Sequence, residues 1–205
     1  MRIPLLCLLV VLIGCKDAAK PAPRATSAPA TAEADPQPIE GAVAYPFTQV
    51  GSKLSWTGQK VTGKHEGSFG VFGGIIELVG ADATKSRVRT EINIDSLKTS
   101  PEKLAAHLKS ADFFGVQEFP RAYFVSTSIQ KAGAAYSVTG DLTLHGVTRT
   151  LTFPASIAIT ESEVTVNAEF AINRKEFGVV YPGKPDDLIA DDVTLKLEIH
   201  AKKKT

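Results

Sequence analysis

The histidines have the widest catalytic repertoire of any side chains in this chain, because imidazole can act as a base, an acid or a metal ligand. They are His65, His107, His145 and His200, and no two of them have the spacing of metal ligands. The sequence also contains no glycine-rich phosphate loop and no GxSxG nucleophile elbow. We therefore predict no metal centre, and we expect that the protein is not an enzyme and has no catalytic residue.

Two acidic pairs, Asp186-Asp187 and Asp191-Asp192, are close enough in sequence to suggest a calcium site or a catalytic carboxylate pair. The neighbouring segment 181–185 contains two prolines and a glycine, which is typical of a loop. A solvated loop explains these acids without a function, and the calcium and catalytic interpretations stay open as alternatives.

Arg174 lies at the end of an apolar stripe, in the parity of five apolar residues: Val164, Val166, Ala168, Phe170 and Ile172. A charged group that continues a buried face must reach water or be paired. Arg174 is therefore either an anchor for the polar head of a ligand at a cavity mouth, or one half of an ion pair with a loop carboxylate such as Asp187 or Asp191.

The N-terminal segment has the features of a bacterial lipoprotein signal. Residues 5–13 form an apolar run of signal-peptide length, too short to span a bilayer as a mature helix. The run ends in Leu12-Ile13-Gly14-Cys15, which resembles a lipobox. We predict a signal peptide over 1–14, an acylated Cys15 and membrane anchoring through it, with an incidental cysteine as the alternative. Because no aspartate follows Cys15 directly, we expect the periplasmic face of the outer membrane.

The composition separates a tether from a folded domain. Residues 15–44 are rich in proline and alanine and contain no aromatic residue, which predicts a disordered tether. Residues 45–205 then form the domain. Cys7 is removed with the signal, so Cys15 is the only cysteine left and no disulfide can form. The mature net charge is near zero, which argues against a nucleic-acid partner.

Alternation of apolar and polar residues with a period of two dominates the domain. It is clearest in five segments: 87–94, 136–144, 151–159, 164–172 and 193–199. Such alternation is typical of antiparallel strands with one buried face. Weaker patterns over 50–56, 69–79 and 123–129 predict further strands. The fold class is therefore all-β, a sandwich or a barrel.

The inward parities predict one apolar surface that ends at Arg174. Its members are Trp56, Ile92, Ile94, Val138, Leu142, Phe153, Val166, Phe170, Leu195 and Leu197.

One short helix interrupts the strands. Ser100 is the predicted N-cap and Pro101 the first helical residue. His107 lies beside an apolar helix face and either points into a cavity or caps the edge of the core. Phe113 and Phe114 follow, and we predict that they gate the cavity. Because neighbouring residues point apart, one of them is expected to face the cavity and the other the outer packing.

Six blocks of sequence, in this order, resemble the YceI family of periplasmic, lipocalin-like proteins. The blocks are 67–69 with 73–74 (GSF, GG), 94–99 (IDSLKT), 107–114 (HLKSADFF), 119–120 (FP), 140–148 (GDLTLHGVT) and 173–178 (NRKEFG). The resemblance covers about 47 to 201. Asn173 departs from it, since the family usually has aspartate before the arginine.

The resemblance implies an eight-stranded antiparallel lipocalin-like barrel, with one short helix inserted between strands, that binds a polyisoprenoid or isoprenoid quinone in its cavity. The candidate ligand-binding residues are Trp56, Phe69, Ile92, Ile94, His107, Phe113, Phe114, Val166, Phe170 and Arg174. No other cofactor is expected, and a homodimer is one possible assembly. The predicted function is a periplasmic carrier or reservoir of such a lipid. The alternatives are an enzyme acting on an isoprenoid lipid and a structural envelope lipoprotein without a ligand.

Overall fold

The computed structural model describes residues 21–30 and 38–204, which form one thirteen-stranded sheet and one α-helix. The strands are β1 (Thr26–Pro29), β2 (Val43–Thr48), β3 (Lys53–Lys60), β4 (Gly63–Phe69), β5 (Phe72–Leu78), β6 (Arg87–Asn93), β7 (Leu97–Thr99), β8 (Arg121–Ala132), β9 (Ala135–Leu144), β10 (Val147–Ile159), β11 (Glu163–Asn173), β12 (Gly183–Lys184) and β13 (Asp187–Lys202). The helix is α1 (Glu102–Lys109), and short 3-10 helices lie at Ala83–Lys85, Ile94–Ser96 and Arg174–Phe177.

All pairings between these strands are antiparallel, in the order β2-β5-β6-β8-β9-β10-β11-β13-β3-β4-β7. The sheet curls until β2 lies beside the end of β13, where the Lys204 backbone N–H donates to the Ala44 carbonyl at 3.2 Å. This confirms the predicted all-β, lipocalin-like class. No helix in the described part of the chain is long and apolar enough to cross a membrane.

The predicted count of eight strands is wrong, because turns divide what the sequence presents as continuous strands. Gly51, with a φ of +86°, turns the chain between β2 and β3. Val50, predicted to open a strand, lies in this turn and is 81% exposed. The predicted strand over 69–79 is likewise broken at Gly70 and Val71 into β4 and β5. Strands as short as β1, β7 and β12 hold too few residues to show an alternation.

The disordered tether predicted over 15–44 is wrong for its described parts, because β1 is a strand of the sheet and β2 begins at Val43. β1 pairs with residues 149–152 of β10. Just before it, the Pro23 carbonyl accepts from the Ala171 backbone N–H at 2.9 Å, and the Ala25 N–H donates to the Ala171 carbonyl at 2.8 Å.

The physical reason is an opening in the barrel wall. β10 pairs with β11 only over 156–159, so the preceding part of β10 has a free edge. An edge supplies backbone hydrogen bonds to a segment that could not form a core of its own. Ala25 is buried among core residues, and Ser27 accepts a hydrogen bond from the Arg149 guanidinium at 3.1 Å. Residues 23–29 therefore fill the gap between β10 and β11.

The inner face of the sheet holds the core. Phe153 and Phe170, on β10 and β11, stack with ring centroids 4.0 Å apart and an interplanar angle of 11°. Val138 and Leu142 on β9 are buried in the same cluster, as their parity predicts. The inner positions of β3 and β13 continue this surface, so the apolar lining extends along the barrel.

Helix α1 begins one residue later than predicted. Pro101 occupies the N-cap position, no side chain caps the helix, and the first bond runs from the Leu104 N–H to the Pro101 carbonyl at 2.9 Å. The helix packs against β7 across one end of the barrel and so brings His107 over the interior.

Candidate functional site

Two cavities lie one behind the other inside the barrel. The first, here called the mouth cavity, has a volume of about 310 Å³. It is lined by Trp56, Gly58, Gln59, Lys60, His65, Phe69, Leu104, His107, Leu108, Phe113, Phe114, Arg174, Val179, Tyr181, Gly183, Lys184, Asp187, Ile189 and Val193. A volume in this range is typical of a small-molecule site.

The second, here called the deep cavity, has a volume of about 110 Å³. Its lining is apolar except for Thr90: Phe47, Leu54, Phe72, Ile76, Val88, Ile92, Phe124, Ile129, Val138, Leu142, Leu151, Phe153, Ile157, Val166, Phe170, Leu195, Leu197 and Ile199 complete it. On β3, Trp56 lines the mouth cavity and Leu54 lines the deep cavity. On β13, Val193 lines the mouth cavity and Leu195 lines the deep cavity. The polar groups are thus confined to one end of a continuous apolar surface.

Three rings meet at the mouth cavity. The His107 and Phe113 rings are 5.0 Å apart edge to face, and Tyr181 lies 5.1 Å from His107 and 5.0 Å from Phe113. His107 Nε2 also lies 3.1 Å from a carboxylate oxygen of Asp112. The cluster joins α1 to the loop after β11. Phe113, which is predicted to gate the cavity, therefore contacts Tyr181 of that loop.

Phe113 and Phe114 both line the mouth cavity, so the expectation that one of them faces the outer packing is wrong. The chain is not extended there. The Phe113 N–H donates to the Ser110 carbonyl and the Phe114 N–H to the Leu108 carbonyl, both at 3.1 Å. In such a turn, neighbouring side chains do not alternate between two faces as they do in a strand.

Arg174 is 5% exposed and directs its donors to backbone carbonyls. Its Nε donates to Ala190 at 3.0 Å, Nη1 to Val179 at 2.6 Å and Nη2 to Ile189 at 3.3 Å. Asp191 is farther away, at 3.9 Å from Nη2. Of the two interpretations from the sequence, the structure therefore favours an internal role, with carbonyls rather than a carboxylate as the main partners. The guanidinium also lines the mouth cavity.

Burial and a nearby carboxylate act on the pKa of Arg174 in opposite directions. Burial lowers the pKa of Arg174, and the nearby Asp191 carboxylate opposes that shift. The pKa of Asp191 is lowered chiefly because Lys175 donates to it, at 2.8 Å. Asp187 has a lowered pKa because Lys60 donates to it, with the Thr62 backbone and hydroxyl as further donors. Asp187, Asp191 and Asp192 thus serve as ion-pair partners, and the described residues contain no cluster of three potential metal ligands.

The 3-10 helix that carries Arg174 is fixed at both ends. Asn173 Oδ1 accepts from the Lys175 N–H at 2.9 Å, a cap that an aspartate oxygen would make equally well. Asn173 can therefore replace the aspartate that is usual in the family without loss of this cap. At the other end, His145 Nδ1 lies 3.1 Å from the Phe177 carbonyl, and Phe177 is fully buried.

We expect Arg174→Gln to loosen the loop after β11 and the start of β13, because three carbonyls between Val179 and Ala190 lose a charged donor. The free energy of unfolding should fall by about 2–4 kcal/mol, given about 1–3 kcal/mol for each buried group left unpaired. Urea unfolding and amide hydrogen exchange of the loop test this, with Lys175→Gln as an exposed control. Unchanged exchange in the loop would contradict the clamping role and restore the ligand-anchor interpretation.

The structure divides the candidate residues among three places. The mouth cavity receives Trp56, Phe69, His107, Phe113, Phe114 and Arg174, and the deep cavity receives Ile92, Val166 and Phe170. Ile94 lines neither of these cavities and packs with Val116 and Ala122 instead. The 3-10 helix that begins at Ile94 ends the alternation of β6, which explains the wrong assignment. Cys15 lies outside the described residues.

Sequence reasoning missed the contribution of the loop after β11. Val179 and Tyr181 line the mouth cavity, as does Ile189 at the start of β13, although the proline-rich segment around Tyr181 predicts a solvated loop. The missed signal is the apolar run of Val179, Val180 and Tyr181, which is unusual for a loop that contacts only water.

Comparison with known proteins agrees with this architecture. A model of the YceI-like domain matches residues 45–201. The UPF0312 protein of Pseudomonas putida is 31% identical over 137 residues, which cover 63% of this chain and 71% of that protein. The crystal structure of Burkholderia cenocepacia BcnA is similar with a TM-score of 0.68 and 27% identity, covering 76% of this chain and 99% of BcnA.

A polyisoprenoid binding domain from Saccharophagus degradans shares the fold, with a TM-score of 0.64 at 13% identity over 80% of this chain and 99% of that domain. The family match spans nearly all of the described sheet, from β2 to β13, and leaves only β1 upstream of it. This chain therefore belongs to the YceI-like domain family.

Proposed function

We propose that this protein binds a long apolar or amphiphilic lipid, of the polyisoprenoid or isoprenoid-quinone type, as a carrier or reservoir. The observation that carries the proposal is the arrangement of the cavities, an almost wholly apolar interior behind a mouth that holds the polar groups. An apolar tail fits the deep cavity, and a polar head fits the mouth cavity. The lipid-binding role is further supported by membership of the YceI-like family and by the fold shared with a polyisoprenoid binding domain.

The energetics of such a ligand are dominated by its tail. Each buried CH₂ contributes about 0.8 kcal/mol, so several isoprene units bind firmly without any base or nucleophile. The head then sets orientation. The mouth cavity is lined by polar side chains that can bind such a head, among them Gln59, Lys60 and His107. This lining favours an amphiphilic ligand over a plain hydrocarbon.

We also propose that acylated Cys15 anchors the domain to the periplasmic face of the outer membrane. The proposal rests on the lipobox-like Leu12-Ile13-Gly14-Cys15 and on the lysine that follows it. More than one acyl chain would make the attachment firm, because a single chain binds membranes only marginally.

Mass spectrometry of an organic extract of the purified protein tests the function. We expect a near-stoichiometric lipid with an isoprenoid tail, unchanged on prolonged incubation with the protein. Chemical turnover of that lipid would favour the enzyme alternative. An extract without lipid, together with failure to take up added isoprenoid quinone, would favour a structural envelope lipoprotein and contradict the proposal.

We expect Phe113→Ala and Phe114→Ala each to weaken lipid retention, because both rings line the mouth cavity. Phe113→Ala should have the larger effect, since its ring also contacts His107 and Tyr181. A buried phenylalanine replaced by alanine costs about 3–5 kcal/mol, so stability must be measured together with lipid content. Phe119→Ala is the matched control, because the Phe119 ring packs on His145 outside both cavities. Wild-type lipid content in both variants would eliminate the gating role.

A further inference from the structure

Three exposed aliphatic residues lie at the mouth end of the barrel. Val61 is 75% exposed, Val180 60% and Leu188 52%. Each is a sequence neighbour of residues that line the mouth cavity, so the three are placed at that end, with their side chains on the outer surface. We call these three residues the apolar rim. Exposed aliphatic side chains gathered at one opening indicate an interaction site more strongly than the same number scattered over a surface.

The apolar rim is held together by hydrogen bonds. The Val61 N–H donates to the Leu188 carbonyl at 3.2 Å, which joins the β3–β4 turn to the start of β13. Arg174 donates to the carbonyls of Val179 and Ile189, which flank the other two rim positions. The three side chains are therefore carried by connected segments.

The charged side chains near the rim are largely paired. Lys60 lies 2.5 Å from Asp187, and Lys64 lies 2.6 Å from Glu66. Exposed Lys184 and Asp186 are of opposite sign and close in sequence. The surface therefore lacks the excess of basic residues through which proteins attract anionic lipids or nucleic acids. A surface of aliphatic side chains and paired charges is suited to contact with the apolar part of a membrane interface.

The chain that leads to Cys15 limits where a membrane can be. Cys15 lies eight residues before Pro23, the first of the described residues that is bonded to the barrel wall. Eight residues span at most about 29 Å when fully extended. A tether that ran to residue 44 would have reached much farther. The filling of the wall by residues 23–29 therefore keeps the barrel close to any bilayer that holds Cys15.

The attachment point also selects one end of the barrel. Pro23 is bonded at Ala171, which lies two residues from the Asn173 end of β11 and eight from its Glu163 end. At about 3.4 Å per residue, these distances are about 7 Å and about 27 Å. Arg174 of the mouth cavity directly follows Asn173. A membrane at the mouth end is within easy reach, whereas one at the opposite end requires an almost fully extended chain.

We infer that the apolar rim, Val61, Val180 and Leu188, docks on the lipid bilayer that holds Cys15, with the mouth cavity opening onto it. The inference rests on the proposed acylation and lipid-binding function and adds an orientation to them. A ligand then passes between bilayer and barrel through the rim, without its apolar tail crossing water.

Fluorescent labels at single cysteines test this orientation in the acylated full-length protein. Cys15 is the only cysteine that remains after signal cleavage, so an introduced cysteine is the only free thiol. Val180→Cys and Leu188→Cys place an NBD label on the rim. Val50→Cys is the matched control, because Val50 is also exposed but precedes β3 at the opposite end of the barrel. The probes are vesicles of phosphatidylethanolamine and phosphatidylglycerol with or without brominated acyl chains.

We expect brominated chains to quench the labels at 180 and 188 by at least about twofold, since docked apolar side chains enter the headgroup–acyl boundary, and to leave the label at 50 unquenched. High salt should not change this result. Equal quenching at 50, quenching at none of the three, or a protein without an acyl chain would overturn the docking surface. Extracted lipid is measured on the same samples. Rim-specific quenching without any extracted lipid would support docking while contradicting the proposed ligand.

Discussion

Val166→Asp should abolish lipid copurification, and it is the substitution with the largest expected effect on the ligand. Val166 lines the deep cavity from β11, where it pairs with Ile157 of β10 and Ile199 of β13. A carboxylate there has no partner, and an unpaired ion in an apolar interior costs several kcal/mol. The side chain would therefore hold water in the cavity or unfold the barrel, and an isoprenoid tail would be excluded in either case.

The matched control is Asn167→Asp, one residue further along β11, where the side chain is exposed. It adds the same group on the outer face and should leave lipid content and unfolding unchanged. In the Val166→Asp protein, burial raises the pKa of the introduced carboxyl, so the destabilisation should grow as pH rises above the ordinary value of about 3.9. Circular dichroism separates a folded barrel without lipid from an unfolded chain. A folded Val166→Asp protein with wild-type lipid content would exclude the deep cavity as the tail site.

Cys15→Ser should release the protein from membranes or block its maturation, which is the largest expected effect on localisation. The serine hydroxyl cannot replace the thiol that receives the diacylglycerol. No other part of the described chain could hold the domain firmly, because the apolar rim offers only three side chains. Fractionation with intact-mass analysis measures the result, and the wild type should carry its acyl mass in the outer-membrane fraction.

Cys7→Ser is the control for this experiment, because Cys7 lies within the predicted signal peptide, and we expect it to be removed from the mature chain. Its fractionation and acyl mass should equal those of the wild type. Membrane retention of the Cys15→Ser protein, combined with a wild-type mass that contains no acyl chain, would defeat the lipoprotein prediction. The position of the anchor would then no longer support docking through the apolar rim.

The sequence alone determined the fold class and part of the apolar lining of the deep cavity. Val138, Phe153, Val166 and Phe170 keep one parity along their strands, and a period of two places such residues on one face of a sheet whatever the surrounding topology. The family blocks were equally local, since each is a short run of adjacent residues. Strand parity and short sequence blocks can both be recognised without knowledge of the tertiary structure.

The assignment of Ile94 failed for a local reason as well. Parity applies only while the strand continues, and the 3-10 helix at Ile94 ends it. Nothing in the residues before Ile94 marks that change, because the apolar–polar alternation continues through the boundary. A periodic pattern thus indicates which residues share a face, but it does not show where the face ends.

Only the tertiary structure decided the roles of Arg174, Tyr181 and residues 23–29. The partners of Arg174 are main-chain carbonyls of Val179 and of the start of β13. Every residue has a carbonyl, so the sequence does not indicate which ones accept a hydrogen bond. Tyr181 meets His107 and Phe113 because the barrel end brings α1 and a distant loop together. Residues 23–29, too poor in apolar side chains to fold alone, became a strand because β10 offered them a free edge. For Tyr181 and residues 23–29 the deciding interaction joins segments far apart in the chain, where composition and periodicity carry no information.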